Sequence, residues 1–165
     1  MKFTELPGTG DAGRPNKFSL KRAASTIRKD QTQRNQCVVF KAGDKTGHPL
    51  INVDFSAAKY VPSKDTSAAG GDSGQAFYSI GAYAKTNRNI SALLYFKCST
   101  VSSHESMSHI RASLTSAPGQ IATQATGRDL MTVLNGISLG MAKQLGCASE
   151  AALPSRIPEA KAETP

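Results

Sequence analysis

Residues 50–56, Leu-Ile-Asn-Val-Asp-Phe-Ser, alternate apolar and polar side chains, with Ile51, Val53 and Phe55 pointing one way and Asn52, Asp54 and Ser56 the other. Period two with one apolar face predicts a half-buried strand. Residues 36–42 are β-rich and run into the turn cluster Gly43-Asp44-Lys45-Thr46-Gly47, so the two segments predict a hairpin. In the first of them either Val38 and Phe40 or Cys37 and Val39 face inward. Residues 75–84 and 90–98 are again β-like. In the second, Ile90, Ala92, Leu94, Phe96 and Cys98 share one face and Ser91, Leu93, Tyr95 and Lys97 the other. Lys85-Thr86-Asn87-Arg88-Asn89 between them is either a turn or a polar patch inside one long strand. Residues 62–74, rich in Ser, Asp, Thr, Ala and Gly, predict a long exposed loop.

At the N-terminus residues 2–6 and 17–21 are short β-like pieces. The turn formers Pro7-Gly8-Thr9-Gly10 and Gly13-Arg14-Pro15-Asn16 lie between them, which predicts a loose hairpin. After residue 100 the period changes. Ser102-Ser103-His104-Glu105 fits a capping box, Met107, Ile110 and Leu114 follow at helical spacing, and Pro118-Gly119 stops the run. A second helix is predicted from residues 126–129 onward, with Leu130, Leu134, Ile137, Met141 and Leu145 on one face and Gly136 and Gly140 weakening it. The expectation is an α+β domain over residues 1–152: a basic hairpin region (1–35), an antiparallel sheet of about five to seven strands, then two C-terminal helices on one sheet face. Residues 153–165, rich in Pro and Ala, predict a tail.

A chain of 165 residues suits one domain with its own core. No apolar run approaches the ~20 residues that cross a bilayer, and the N-terminus carries no apolar leader segment, so the expectation is the cytoplasm and no membrane partner. Cys37, Cys98 and Cys147 are odd in number and far apart. They read as buried thiols of a reducing compartment, with one disulfide between subunits as the alternative. The net charge is +8, and between residues 14 and 34 the seven cations Arg14, Lys17, Lys21, Arg22, Arg28, Lys29 and Arg34 face Asp30 alone, a local +6. Such a stretch attracts phosphate backbones.

Catalytic motifs fail on spacing. Gly71-Asp72-Ser73-Gly74 repeats a serine-protease nucleophile sequence, with His48 and Asp54 in the matching order. Only 25 residues separate His48 from Ser73, too few for the two barrels that hold such a triad. His104-Glu105 and His109 echo a zinc-protease helix, but their spacing of five turns the rings roughly 140° apart. Leu6-Pro7-Gly8-Thr9-Gly10 matches a sorting signal without the apolar stretch that must follow it. No phosphate loop occurs. The expectation is no enzyme, no catalytic residue, no metal, no cofactor and no small-molecule substrate.

Three stretches together resemble the coat proteins of single-stranded RNA bacteriophages: residues 35–55, a strand, turn and alternating strand; residues 90–116, a last strand running into a capped helix; and residues 127–139, similar to the final helix of some members. That resemblance implies an interlocked dimer, sheet edge to sheet edge, with each subunit's helices over its partner's sheet. It implies a virion assembled in the host bacterial cytoplasm, an icosahedral shell packaging the RNA genome, and repression of translation through an RNA hairpin. The polar sheet face, with Asn52, Asp54, Asn87, Asn89, Ser91 and Lys97, would meet RNA, and Arg34 and Lys41 join Asn52, Asn87, Asn89 and Lys97 as expected RNA-binding residues. A nucleic-acid-binding regulator that forms no shell is the rival reading.

Overall fold

The computed structural model describes residues 3–5, 8–9, 15–16, 19–29, 35–41, 49–63, 74–99, 107–117 and 125–160, with the backbone alone for 3–5, 8–9, 15–16 and Lys41. Strands β1 (Phe3–Glu5), β4 (Asn35–Lys41), β5 (Ile51–Ala58), β6 (Gln75–Phe77), β7 (Tyr83–Asn87), β8 (Ser91–Lys97) and β9 (His109–Ser116) form one antiparallel sheet in the order β1-β4-β5-β9-β8-β7-β6. The two-residue strands β2 (Gly8–Thr9) and β3 (Pro15–Asn16) pair separately. Helices α1 (Leu20–Lys29) and α2 (Gly127–Leu145) complete an α+β fold that ends in a C-terminal helix.

Two secondary-structure expectations are overturned. The first concerns residues 107–116, which form the central strand β9 instead of the first of two C-terminal helices. The step of four from Ile110 to Leu114 satisfies period two as well as period 3.6. Ile110, Ala112 and Leu114 are all fully buried, and the polar residues between them turn to the opposite face. Flanked by β5 and β8, this segment satisfies its backbone in two ladders. The capping box at residues 102–105 lies outside the described residues.

The second concerns the strand expected at residues 17–21: Leu20 and Lys21 begin α1. Leu20, Ala23, Ala24 and Ile27 recur at i, i+3, i+4 and i+7, a helical face that a five-residue window cannot reveal. Ser19 caps the start, its Oγ accepting from the Arg22 amide at 3.1 Å. The expected hairpin between residues 2–6 and 17–21 is therefore replaced: β1 pairs with β4, and β2 and β3, in the segments expected as turns, pair with each other.

One sheet face carries the core. Val53 and Phe55 of β5, Leu94 and Phe96 of β8, and Ile110 and Leu114 of β9 are fully buried in one core with Leu130, Met131, Leu134 and Met141 of α2 and Ile27 of α1. α2 lies over β7, β8 and β9 of its own chain, whereas the resemblance implied a partner's sheet; α1 lies against α2 and reaches β4 and β5. Pairing of Cys37 with Val53 and of Val39 with Ile51 settles the facing of β4: Cys37 and Val39 share the helix side. Gly81 turns the chain ahead of β7 at φ +56, and a Cβ there would run into the Tyr95 carbonyl, so only glycine fits.

The end of α2 is fastened twice. Cys98, just past β8, and Cys147, just past the left-handed cap Gly146, form a disulfide with Cα atoms 5.2 Å apart. This corrects the reading of separate reduced thiols, since the pair is 49 residues apart in sequence and meets only where the strand end and helix end come together. Beyond it, Ala151 and Ile157 are buried. Asn135 Nδ2 donates to the Pro154 carbonyl at 2.8 Å, Arg128 Nη2 donates to the Ile157 carbonyl at 3.3 Å, and Arg128 pairs with Glu159. Residues 153–160, expected as part of a tail, are thus seated on α2.

Candidate nucleic-acid interface

The helices occupy one sheet face; the strand registers define the other. Partners in adjacent strands place Asn52, Thr115, Ser91, Asn87 and Gln75 in one continuous row across β5, β9, β8, β7 and β6. Every member of this row offers an amide or a hydroxyl. With strands about 4.8 Å apart, the row is roughly 19 Å long. The next row runs Asp54, Ser113, Leu93, Lys85, and the one after it Ser56, Arg111, Tyr95, Tyr83. Lys97 stands opposite His109 at the far end.

Between the first and third rows the surface sinks into a hollow of about 290 Å³, lined by Lys85, Asn87, Ser91, Leu93, Arg111, Ser113 and Thr115 among others. Two cations therefore flank a set of neutral hydrogen-bonding groups. Lys85 Nζ reaches Gln75 Oε1 at 3.5 Å. The Arg111 guanidinium lies 3.9 Å from Asp54 Oδ1, too long for a hydrogen bond but within ion-pair distance. Tyr83 packs edge-on against Tyr95 and Phe77, with ring centroids 6.0 and 6.2 Å apart. Both tyrosines are buried, so they brace one end of the face and leave little ring surface for bases to stack on.

His109 is half-buried, and its Nδ1 lies 3.0 Å from Ser108 Oγ. Partial burial, and then the neighbouring Lys97 charge, hold its pKa below the ordinary histidine value of 6.5. The ring is mostly neutral at pH 7.

The structure brings together only part of the expected set. Asn52 and Asn87 lie in the central row, and Lys97 is exposed at the rim. The segment at residues 85–89 resolves as the end of β7 followed by a turn: Arg88 has φ 48, and Asn89 sits exposed at the hairpin tip. Asn89 is therefore off the row; its carbonyl accepts from Ser116 Oγ at 2.7 Å. Lys41 ends β4 opposite Phe3, and Arg34 lies outside the described residues, as do His48, Ser73, His104 and Glu105 of the catalytic motifs. His109 stands on a strand, not a helix.

Lys85, Arg111 and Thr115 were missed by sequence reasoning, for one cause. The segment of Lys85 reads as either a turn or a polar patch inside a long strand, and that of Arg111 and Thr115 as a helix, which hides their alternation with buried neighbours. The signal was present in His109-Ile110-Arg111-Ala112-Ser113-Leu114-Thr115, a clean polar–apolar alternation.

Among the described residues no helix is long and apolar enough to cross a membrane, and no group of His, Cys, Asp or Glu could hold a metal ion. Comparison with protein-family models, with characterised proteins and with solved structures returns no match to this chain.

Proposed function

We propose that this chain is a coat protein of the single-stranded RNA bacteriophage type, which self-assembles into a shell and holds RNA against the open face of its sheet. The observation that carries this reading is the row Asn52, Thr115, Ser91, Asn87, Gln75, flanked by Lys85 and Arg111. Amides and hydroxyls can bond to base edges and sugar 2′-hydroxyls, and the cations can neutralise phosphates. The net charge of +8 works in the same direction. A sheet with one face covered by helices suits a shell wall that meets its contents on the other face. Exposed Tyr60, Ile90 and Val133 are apolar side chains available for contacts between subunits.

One observation favours the rival, a nucleic-acid-binding regulator that forms no shell. Each chain covers its own sheet with its own α1 and α2, so the core needs no partner to close it. Both readings share the sheet face and differ in assembly.

The test is electron microscopy of the recombinant protein, with the 260/280 nm absorbance ratio taken on the same sample. Round uniform particles rich in nucleic acid support the coat reading. A small oligomer that binds RNA supports the rival. Lys85→Ala with Arg111→Ala should empty the particles or loosen their RNA; unchanged RNA content would sink the sheet-face assignment. Phe96→Asp and Leu134→Asp place a charge at fully buried positions and should abolish particles.

A further inference from the structure

The sequence's basic stretch has not been absorbed by the sheet face. Its described part is α1, Leu-Lys-Arg-Ala-Ala-Ser-Thr-Ile-Arg-Lys, which contains no acid. Leu20, Ala23, Ala24 and Ile27 form the side turned to the protein. Lys21, Arg22, Ser25, Arg28 and Lys29 fall on the opposite side, and all five are exposed. The stripe from Lys21 to Lys29 is about 12 Å long at 1.5 Å per residue. Arg28 Nη2 donates to the Gln144 carbonyl at 3.0 Å, which ties the stripe to the end of α2 beside exposed Lys143. α1 belongs to the helical layer, so these cations lie on the other side of the sheet from Lys85 and Arg111.

We infer that α1 is a second RNA contact, made to the phosphate backbone without regard to sequence by the chain before a shell closes, so that one unassembled chain holds two RNA segments on opposite sides. The chemistry of the two faces differs. The sheet offers amides and hydroxyls that can read bases, whereas α1 offers four cations and one hydroxyl, a set suited to phosphates. Charge complementarity commits the occupant to a polyanion. An anionic membrane fits less well, because the apolar side of α1 is already packed against α2 and no face is left to insert. The choice of RNA among polyanions rests on the function proposed above; the charged surface does not.

The experiment titrates full-length protein with labelled oligouridine across a range of salt concentrations. It compares Lys21→Glu/Arg22→Glu/Lys29→Glu with Lys85→Ala/Arg111→Ala, with circular dichroism confirming that each variant is folded. Three lost phosphate contacts should flatten the slope of log affinity against log salt by about 2, at roughly 0.7 per contact on a single strand. Saturation with hexauridine should fall from two per chain to one. An unchanged slope and stoichiometry in the α1 variant overturns the inference, whatever the sheet variant does. If only the α1 variant loses RNA, the inference stands and the sheet reading fails. Loss of binding to phosphatidylserine vesicles with RNA binding intact would assign α1 to membranes and overturn it.

Discussion

Arg111 of β9 holds Asp54 of β5 at 3.9 Å across the open face of the sheet, the one acid in the strand registers that line the hollow. The pair explains how a carboxylate can stand on a surface that would meet phosphates. At this distance the interaction is a partly screened charge contact, worth about 1 kcal/mol or less. Asp54→Asn removes the negative charge and releases Arg111. RNA affinity should rise by roughly fivefold, the equivalent of about 1 kcal/mol, with little change in thermal midpoint. A filter-binding titration measures it; weaker binding by the variant would mean that Asp54 positions Arg111 for its ligand.

His109 gives the face a pH dependence. Its pKa is held below 6.5 in the folded chain by burial and then by Lys97. Between the folded and unfolded values the unfolded chain binds more protons, so stability rises with pH there. This contribution is complete above the unfolded value and is lost as pH falls through the folded one. Protonation also adds a cation beside Lys97, so RNA affinity should increase as the solution is acidified below about pH 6.5. His109→Asn should flatten both trends. Titrations of affinity and of urea midpoint at several pH values read them separately.

The Cys98–Cys147 disulfide closes a loop spanning 49 residues. Chain-entropy reasoning assigns such a cross-link roughly 4 kcal/mol. For a domain of this size that corresponds to a fall of about 10 °C in thermal midpoint on reduction. Both sulfurs are fully buried, and cysteine thiols pack as small apolar groups, so the reduced protein should keep its fold. Calorimetry with and without reductant, and on Cys98→Ala/Cys147→Ala, tests this. An equal midpoint in both states would show that packing alone seats residues 147–160.

Thr126 and Asp129 cap α2 reciprocally. The Thr126 amide and hydroxyl both donate to Asp129 Oδ2 at 2.8 Å, and the Asp129 amide donates to Thr126 Oγ1 at 3.3 Å. The backbone bond, then the hydroxyl bond, lower the Asp129 pKa below 3.8, with slight opposition from burial and help from Arg128. The stabilisation is present above the unfolded value and lost as pH falls through the folded one. Thr126→Ala should cost about 1 kcal/mol at pH 7 and progressively less as the solution is acidified far enough to protonate Asp129 in the folded chain. A gap in urea midpoint that stays constant with pH would remove Asp129's charge from the cap.

What could be read from sequence follows from window length and periodicity. Strand β5 and helix α2 were legible because their patterns are long and unambiguous: Ile51, Val53 and Phe55 fit only period two, and the stripe from Leu130 to Leu145 fits only a helix. Ile110 and Leu114, four apart, fit both, and the decision lay in Ala112, a small residue that signals a face only once its neighbours are known. α1 was hidden by a polar stretch whose apolar side is half alanine. The site was half legible for the same reason: Asn52 and Lys97 lie on strands with correctly read facing, Asn87 and Lys85 share a segment that the pattern leaves open between a turn and a strand, and Arg111 lies on a segment whose pattern also fits a helix. Pairing of Cys98 with Cys147 depends on tertiary placement and carries no local signal at all.

The place of β9 between β5 and β8 governs the order in which this chain can fold. β4 with β5, and β6 through β9, are each built from neighbours in sequence. Among the described residues, the one strand ladder that joins the two halves of the sheet runs from Ile51–Ser116 to Ala58–His109, and its closest pair is 51 residues apart along the chain. Loop-closure entropy is therefore concentrated in a single docking event. A chain emerging from the ribosome keeps the β5 edge unpaired until residue 116 has been made, and during that interval the same edge can accept a strand from another copy. The seam that completes the sheet of one chain is thus also where two nascent chains would first exchange strands.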